Sequence, residues 1–418
     1  MKTLSSRAGF GVAAGVIGLG LFASVTPSPL YRTYSVLWHF SPLTLTLIYA
    51  TYAFGVLATL LLAGSVSDDV GRRPVLLTAL AGRLSDEVGR RPVLLASLAA
   101  LMATSVLFAL ADSTAWLFVA RGLQGLATGL ALGAASAALL DLHPTRNPAA
   151  VGLTNGVVSA GGMGLGIGLS ALLVELAPAP RVLPYVVLFG LFAIAFYGAL
   201  RMPEPVRATG RARLTPQRPS IPPVVRRPFL LAALAVISSW SIGGLFISLG
   251  PALGATLLHT DNHLVTALAV VTLAASGAAA QLAFGRTAPW AGTAAGSLAL
   301  ATGMIAIVIA AGTESPALYW LGAVVGGAGF GVAFLGGLRA LSVAIPPQHR
   351  AEVMSAFYVV AYLAISVPAI VAGVLVTPLG LEPTFELFGS VIAALALAVA
   401  FEAYRSRPAP ARVAVELA

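Results

Sequence analysis

Apolar and polar residues fall in long blocks along this 418-residue chain, not in the short alternation of strands or half-buried helices. A helix needs about 20 apolar residues to cross the hydrocarbon core of a bilayer. Runs of that kind, separated by polar or proline-rich breaks, lie at 8–28, 43–63, 93–111, 115–140, 149–174 and 183–201. Six more lie at 229–253, 263–285, 290–311, 317–344, 352–377 and 384–404. The pattern predicts an all-α polytopic membrane protein with twelve transmembrane helices. Only Ala111-Asp112-Ser113-Thr114 divides the third run from the fourth, so those two are antiparallel neighbours. The first run follows Lys2 and Arg7 and also suits a cleaved signal peptide. Cleavage would leave an odd number of spans and put the basic loops outside, so the run is read as a retained span.

Composition agrees with this and excludes much else. The chain is 58% apolar and 9% charged, whereas soluble domains carry roughly 25% charged residues. It has no cysteine, which removes disulfides and thiolate metal sites. His39, His143, His259, His263 and His349 lie near segment ends without metal-ligand spacing. No cofactor or metal is expected. No nucleophile–base pairing or phosphate loop suggests an enzyme.

The net charge of +9 could point to nucleic acid, but its distribution reads otherwise. With the N-terminus inside, the even-numbered loops and both tails hold 20 of the 24 basic residues. Arg32 and Arg181 alone fall outside, and Arg121 and Arg339 lie within spans. This asymmetry places both termini in the cytoplasm. It makes anionic lipid headgroups, and not nucleic acid, the expected partner of the basic loops.

The chain divides into two halves. Residues 1–201 and 229–404 each hold six spans, and 202–228 between them is rich in arginine and proline, a cytoplasmic linker. Residues 405–418 form a cytoplasmic tail. Trp116, Gly122, Gly125, Gly133 and Arg146 match Trp320, Gly326, Gly329, Gly337 and Arg350 at an offset of 204. Nearer the N-terminus the offset is 222, pairing Pro29 with Pro251 and Gly55 with Gly277. The order favours a parallel repeat, two pseudo-symmetric six-helix bundles.

The change of offset, 18 residues, has a visible source in a duplicated loop within 64–99. Gly64-Ser-Val-Ser-Asp68-Asp-Val-Gly71-Arg72-Arg73-Pro-Val-Leu-Leu is followed by Gly82-Arg-Leu-Ser-Asp86-Glu-Val-Gly89-Arg90-Arg91-Pro-Val-Leu-Leu. Val75–Ala81 between the copies is too short to span and is expected to lie as a short interfacial helix. In each copy the first glycine lets a helix end pack closely. The aspartate can accept from free N–H groups at another helix's N-terminus. The second glycine permits the turn, and the arginines reach headgroups.

G-x-L-[SA]-D-x-x-G-R-[KR] between spans two and three resembles the signature loop of the major facilitator superfamily. The second copy fits throughout; the first has Val66 for leucine. Twelve spans, paired halves and a basic central linker extend the resemblance over nearly the whole chain. It implies a monomeric secondary transporter of the bacterial inner membrane that moves a small molecule by alternating access. It also implies that one copy of the loop latches the halves on the cytoplasmic side, with Asp86, Arg90 and Asp141 as a charge relay. Proton-coupled export is the expected mode. An importer or organic-anion symporter, and a transport-inactive receptor or scaffold, are the alternatives.

Polar residues within spans bear on coupling. Arg121 is costly to bury and is either functional or a snorkelling side chain; the resemblance implies the family's fourth-span arginine, associated with proton coupling. Arg339 lies where snorkelling is easier. No aspartate or glutamate sits at the centre of a span, so a membrane-embedded carboxylate proton carrier is missing. The glycine stripe Gly152 to Gly168 in the fifth span is read as close packing. It lacks the Gly-Pro pair of the exporter signature, which weakens the export assignment. By the resemblance, cavity-lining candidates are Tyr49, Tyr52, Gln124, Asn155, Trp240, Gln281, Arg339, Tyr358 and Tyr362. Because one loop copy is redundant in this reading, Asp68→Asn and Asp86→Asn made separately should impair vesicle transport in one case only. Equal loss in both would contradict it.

Overall fold

A computed structural model of the chain describes residues 3–62, 89–204, 220–346 and 349–407. Twelve segments of it are helices long and apolar enough to cross a membrane, and the described secondary structure is helical throughout. Spans two to six are Pro42–Leu62, Arg90–Ala109, Thr114–Leu142, Pro148–Leu176 and Leu183–Arg201. Spans eight to twelve are His263–Phe284, Pro289–Thr313, Pro316–Ala344, Arg350–Leu379 and Leu381–Arg405.

Spans one and seven differ from the uninterrupted helices expected of them. The first runs Ser6–Val25, passes through a tight turn at Ser28–Leu30 and resumes as Tyr31–Trp38. The seventh runs Arg226–Ser248 and resumes as Gly250–Leu257. Proline causes both breaks, because it has no N–H to return to the carbonyl four residues back. Pro27 and Pro29 interrupt the first span and Pro251 the seventh. The matched pair Pro29 and Pro251 therefore marks equivalent breaks in the two halves.

The packing repeats with the same symmetry. In the first half, span one lies on spans four, five and six; spans two and three lie on four, and three on six. In the second, span seven lies on ten, eleven and twelve; spans eight and nine lie on ten, and nine on twelve. Between the halves, span two meets eleven and span five meets eight. The result is two pseudo-symmetric six-helix bundles. Among the described residues, Arg7, Arg90, Arg91, Arg146, Arg201, Arg226, Arg227, Arg286 and Arg405 gather at one set of helix ends, the basic end; the other is the far end.

Lipid offers no hydrophobic drive for one helix to join another, so close backbone contact does that work. A Cβ on Gly55 would sit 2.8 Å from the Gly122 carbonyl oxygen, and one on Gly277 would sit 3.0 Å from that of Gly327. The crossing thus equates Gly122 with Gly327, one residue beyond the Gly326 expected from sequence. Gly326 instead admits the ninth span, where a Cβ on Gly303 would lie 2.2 Å from the Gly326 nitrogen.

A Cβ on Gly125 would lie 2.2 Å from the Tyr52 carbonyl oxygen, whereas one on Gly161 meets nothing within 4 Å. Gly125→Ala should therefore destabilise the bundle by about 1–3 kcal/mol, the usual cost of overpacking. Thermal unfolding in detergent should show a clear fall for Gly125→Ala and none for Gly161→Ala. Equal behaviour would contradict the backbone crossing.

Candidate functional site

The break in the first span leaves carbonyls at its helix end without partners. Pro27 cannot serve Ala23, and Gln124 of span four donates to the Ala23 carbonyl at 3.0 Å. Arg121, one turn earlier on the same face, donates to the Ser24 carbonyl at 2.7 Å and to the Gln124 side-chain oxygen at 2.8 Å. Its Nε donates to the Tyr31 hydroxyl at 2.8 Å. The rings of Tyr31 and Tyr52 each lie 5.5 Å from the guanidinium carbon. Arg121 is 0% exposed, so it does not snorkel to the interface. Among the described residues no carboxylate pairs with it. The negative end of the first helix dipole, about half a charge, and the aromatic faces stabilise the cation instead.

The second half presents an aromatic group. Trp240 of span seven packs against Phe334 at 5.5 Å and Tyr362 at 5.6 Å between ring centroids. Its indole N–H is buried and has no protein acceptor among the described residues. Tyr358 lies against Phe357. Tyr49 is buried in an apolar cluster drawn from both halves, with Val25, Ile247, Val270 and Ala369. Asn155 stays within its half, on Ser136 and Ser159. Of the predicted cavity residues, Tyr52 and Gln124 gather at Arg121 and Tyr362 meets Trp240; Tyr49 and Asn155 lie apart from both, and Gln281 and Arg339 line the cavity at the basic end.

At the far end the halves are joined. Glu175, at the end of span five, accepts from the Asn262 amide at 3.0 Å and from the His263 backbone N–H at 2.9 Å. Asn262 caps span eight, accepting from Leu264 and Val265. Glu175 therefore completes the cap of a helix in the opposite half. The His263 ring bridges Glu175 and Thr33, at 3.2 and 3.3 Å. Ser28 donates across the seam to the Ile247 carbonyl at 2.6 Å, the carbonyl that Pro251 leaves free. Arg32 pairs with Asp261 beside them. That pair is largely exposed and worth no more than about 1 kcal/mol, whereas each charge-assisted bond to the half-buried Glu175 is worth about 1.5–3 kcal/mol. Glu175 dominates the seam.

The basic end is open. A cavity of about 1100 Å³ lies between span five and spans eight and ten, lined by Gly152, Leu153, Gly156, Gln281, Arg286 and Arg339 among others. Arg339 also donates to the carbonyls of Gly285 and Thr287, bracing the end of span eight. At the basic end of the first half, Arg90 pairs with Asp141 at 3.1 Å. Glu204 accepts from the backbone N–H groups of Arg90 and Arg91, at 2.8 and 3.0 Å, and so caps span three. Gly89 precedes them at φ 108°, and a Cβ there would lie 2.7 Å from the Glu204 carboxylate, so only glycine fits both demands. Gly64, Asp68, Gly71, Arg72, Arg73, Gly82, Asp86 and the short helix expected at Val75–Ala81 lie outside the described residues.

The sequence profile of the Major Facilitator Superfamily matches residues 76–369, well over half of the chain. The chain belongs to the major facilitator superfamily. This facilitator is a multi-pass secondary transporter of a small molecule, not an enzyme. No curated protein matches it in sequence. Its fold is similar to the crystal structure of the human organic anion transporter MFSD10 (TETRAN). That structure is 19% identical, with a TM-score of 0.64 over 95% of this chain and all of the other. It is also similar to a mutant of the nucleoside transporter NupG, 11% identical with a TM-score of 0.69 over 95% of this chain and 99% of that one.

Sequence reading missed the seam of this facilitator: Ser28, Arg32, Glu175, Asp261, Asn262 and His263. An asparagine before an apolar run announces a helix start. Nothing in the spacing announces that a carboxylate from the other half shares that cap. Glu204 escaped notice in the same way.

Glu175→Gln removes the charge from the capping oxygens and should weaken the seam by about 1–3 kcal/mol. The chain has no native cysteine, so Ala171→Cys, buried beneath the seam, reports access cleanly. A membrane-impermeant thiol reagent at the far end should label it several-fold faster when Glu175→Gln is also present. An unchanged rate would show that Glu175 does not hold the seam.

Proposed function

We propose that this facilitator exports small amphipathic organic molecules across a bacterial inner membrane in exchange for protons, with its basic end and both termini in the cytoplasm. On that orientation the structure is the inward-facing state. The observation that carries the reading is the contrast between the two ends: Glu175 caps a helix of the opposite half at the far end, while the halves part at the basic end around the large cavity. Rocking one bundle against the other exchanges the two conditions.

The cargo site in this reading lies between the two polar groups. Trp240 offers a buried indole N–H without a protein acceptor, set among Phe334 and Tyr362. In the first half the Tyr52 ring lies against Arg121. Aromatic faces and one free donor suit an amphipathic molecule with an acceptor group. The second copy of the duplicated loop supplies the cytoplasmic latch, since its Gly89-Arg90-Arg91 opens span three and holds Asp141 and Glu204. Arg121 links coupling to the break in the first span, because its hydrogen bonds tie span four to that helix end. Organic-anion symport is the second reading, favoured by the absence of any carboxylate partner for Arg121 among the described residues.

Flux of labelled organic compounds in oriented vesicles, with and without a pH gradient, decides between these. Export predicts cargo movement opposite to an imposed proton gradient, and symport predicts movement with it. Flux that ignores the gradient would remove the coupling claim, and no flux for any compound would favour a scaffold. Coupling free energies between sites amount to about 1–3 kcal/mol, so Arg121→Ala should cut gradient-driven flux by about fivefold or more. Arg121→Lys keeps the charge without the fork and should recover part of it. Unchanged flux in Arg121→Ala would sink the role of Arg121.

A further inference from the structure

The large cavity at the basic end differs in its chemistry from the aromatic site deeper in the molecule. Its walls are aliphatic, with Leu153 and Val157 of span five facing Leu282 of span eight. Its charged groups, Arg286 and Arg339, both lie at the basic end, and none of its described lining residues is acidic. Arg286 is exposed. Arg339 is partly engaged by the Gly285 and Thr287 carbonyls, which fix its guanidinium at the mouth.

The cavity also has an apolar edge toward the bilayer. Leu153 and Val157 of span five are exposed, and so is Leu282 across from them on span eight. Leu282 belongs to an exposed line of span eight that runs through Ala279 and Ala275 to Leu268. Leu268 lies toward the far end, where the seam is shut, so there that line meets lipid. A molecule in this cleft therefore has its apolar part continuous with the bilayer and its polar part at two arginines. Basic pockets between spans at the cytoplasmic surface suit anionic lipid headgroups.

We infer that the cleft between spans five, eight and ten seats an anionic phospholipid of the cytoplasmic leaflet. The phosphate-bearing headgroup lies at Arg286 and Arg339, and an acyl chain lies between Leu153, Val157 and Leu282. The lipid occupies the gap that the open basic end leaves between the halves. Its site is separate from the aromatic cargo site, so the inference does not depend on which compound is carried; it uses only the orientation proposed above.

The test uses the full-length protein in nanodiscs, labelled with a fluorophore through Leu153→Cys in the cysteine-free chain. Nitroxide-bearing phosphatidylglycerol and phosphatidylcholine with identical chains serve as quenchers. An arginine near the membrane surface strengthens the attraction of anionic lipid roughly fivefold, so phosphatidylglycerol should quench the cleft label at least about threefold more effectively. A label introduced through Ile194→Cys, on the exposed face of span six, should show no such preference. Arg286→Gln removes an exposed side chain and should abolish the preference at the cleft while leaving the unfolding temperature unchanged. Equal quenching by both lipids, or a preference that survives Arg286→Gln, overturns the inference. Relief of the preference by octyl phosphate, present far below the lipid concentration, would assign the cleft to a soluble amphipathic anion and likewise overturn it.

Discussion

A carbonyl stranded in hydrocarbon has to find a donor, and this structure is organised around carbonyls that proline has stranded. Pro27 frees Ala23, which Gln124 serves. Pro251 frees Ile247, which Ser28 serves from the opposite half. Pro368, inside the unbroken span eleven, frees Ala364, whose carbonyl lies 3.2 Å from the Ser241 hydroxyl of span seven, a donor it shares with Ile237 at 2.6 Å. The breaks in spans one and seven each convert a bond within one helix into a bond between two. Breaks that would be defects in an isolated span become the joints of the fold.

The joints are of two kinds, and the difference separates what is fixed from what can move. Within each half, glycine brings backbones into direct contact, as at Gly244, where a Cβ would sit 2.1 Å from the Ile365 carbonyl oxygen. Such crossings have no intermediate geometry, because any separation loses dispersion contacts outright. Between the halves, the far end is held by a few hydrogen bonds centred on Glu175, by an apolar cluster around Tyr49 and by the approach of span eleven to span two, where a Cβ on Gly373 would sit 2.2 Å from the Thr46 hydroxyl. The hydrogen bonds among these can be exchanged for water at modest cost, which makes the far end the more separable joint, with Glu175 at its centre. Arg121 is tied through Ser24 and Tyr31 to both sides of the break in the first span.

The twelve spans were legible because apolar length is a one-dimensional property, and the symmetry was legible in part through Pro29 and Pro251. The helix breaks at those prolines were not foreseen, since a broken span and a continuous one have nearly the same hydropathy. The repeat register erred by one residue between Gly326 and Gly327, because a run of glycines offers several equivalent matches. Arg121 stands out in the sequence as a charge within a span, and Gln124 and Tyr52 follow from the family resemblance; the structure brings the three together. Trp240 and Tyr362 also meet, whereas Asn155 serves packing in its own half. The seam was invisible because Glu175 and Asn262 belong to different halves and become partners only when the bundles dock.

In the proposed cycle, closure of the far end and opening of the basic end are two faces of one motion held by Glu175. Distances between paired spin labels test it directly in the cysteine-free chain: one pair across the far seam through Leu37→Cys and His259→Cys, the other across the cleft through Leu153→Cys and Leu282→Cys. The unliganded protein should show a short far distance and a long cleft distance. Adding Glu175→Gln should lengthen the first and shorten the second together. Lengthening of the far distance with no change in the cleft would contradict it, because the two ends would then open independently.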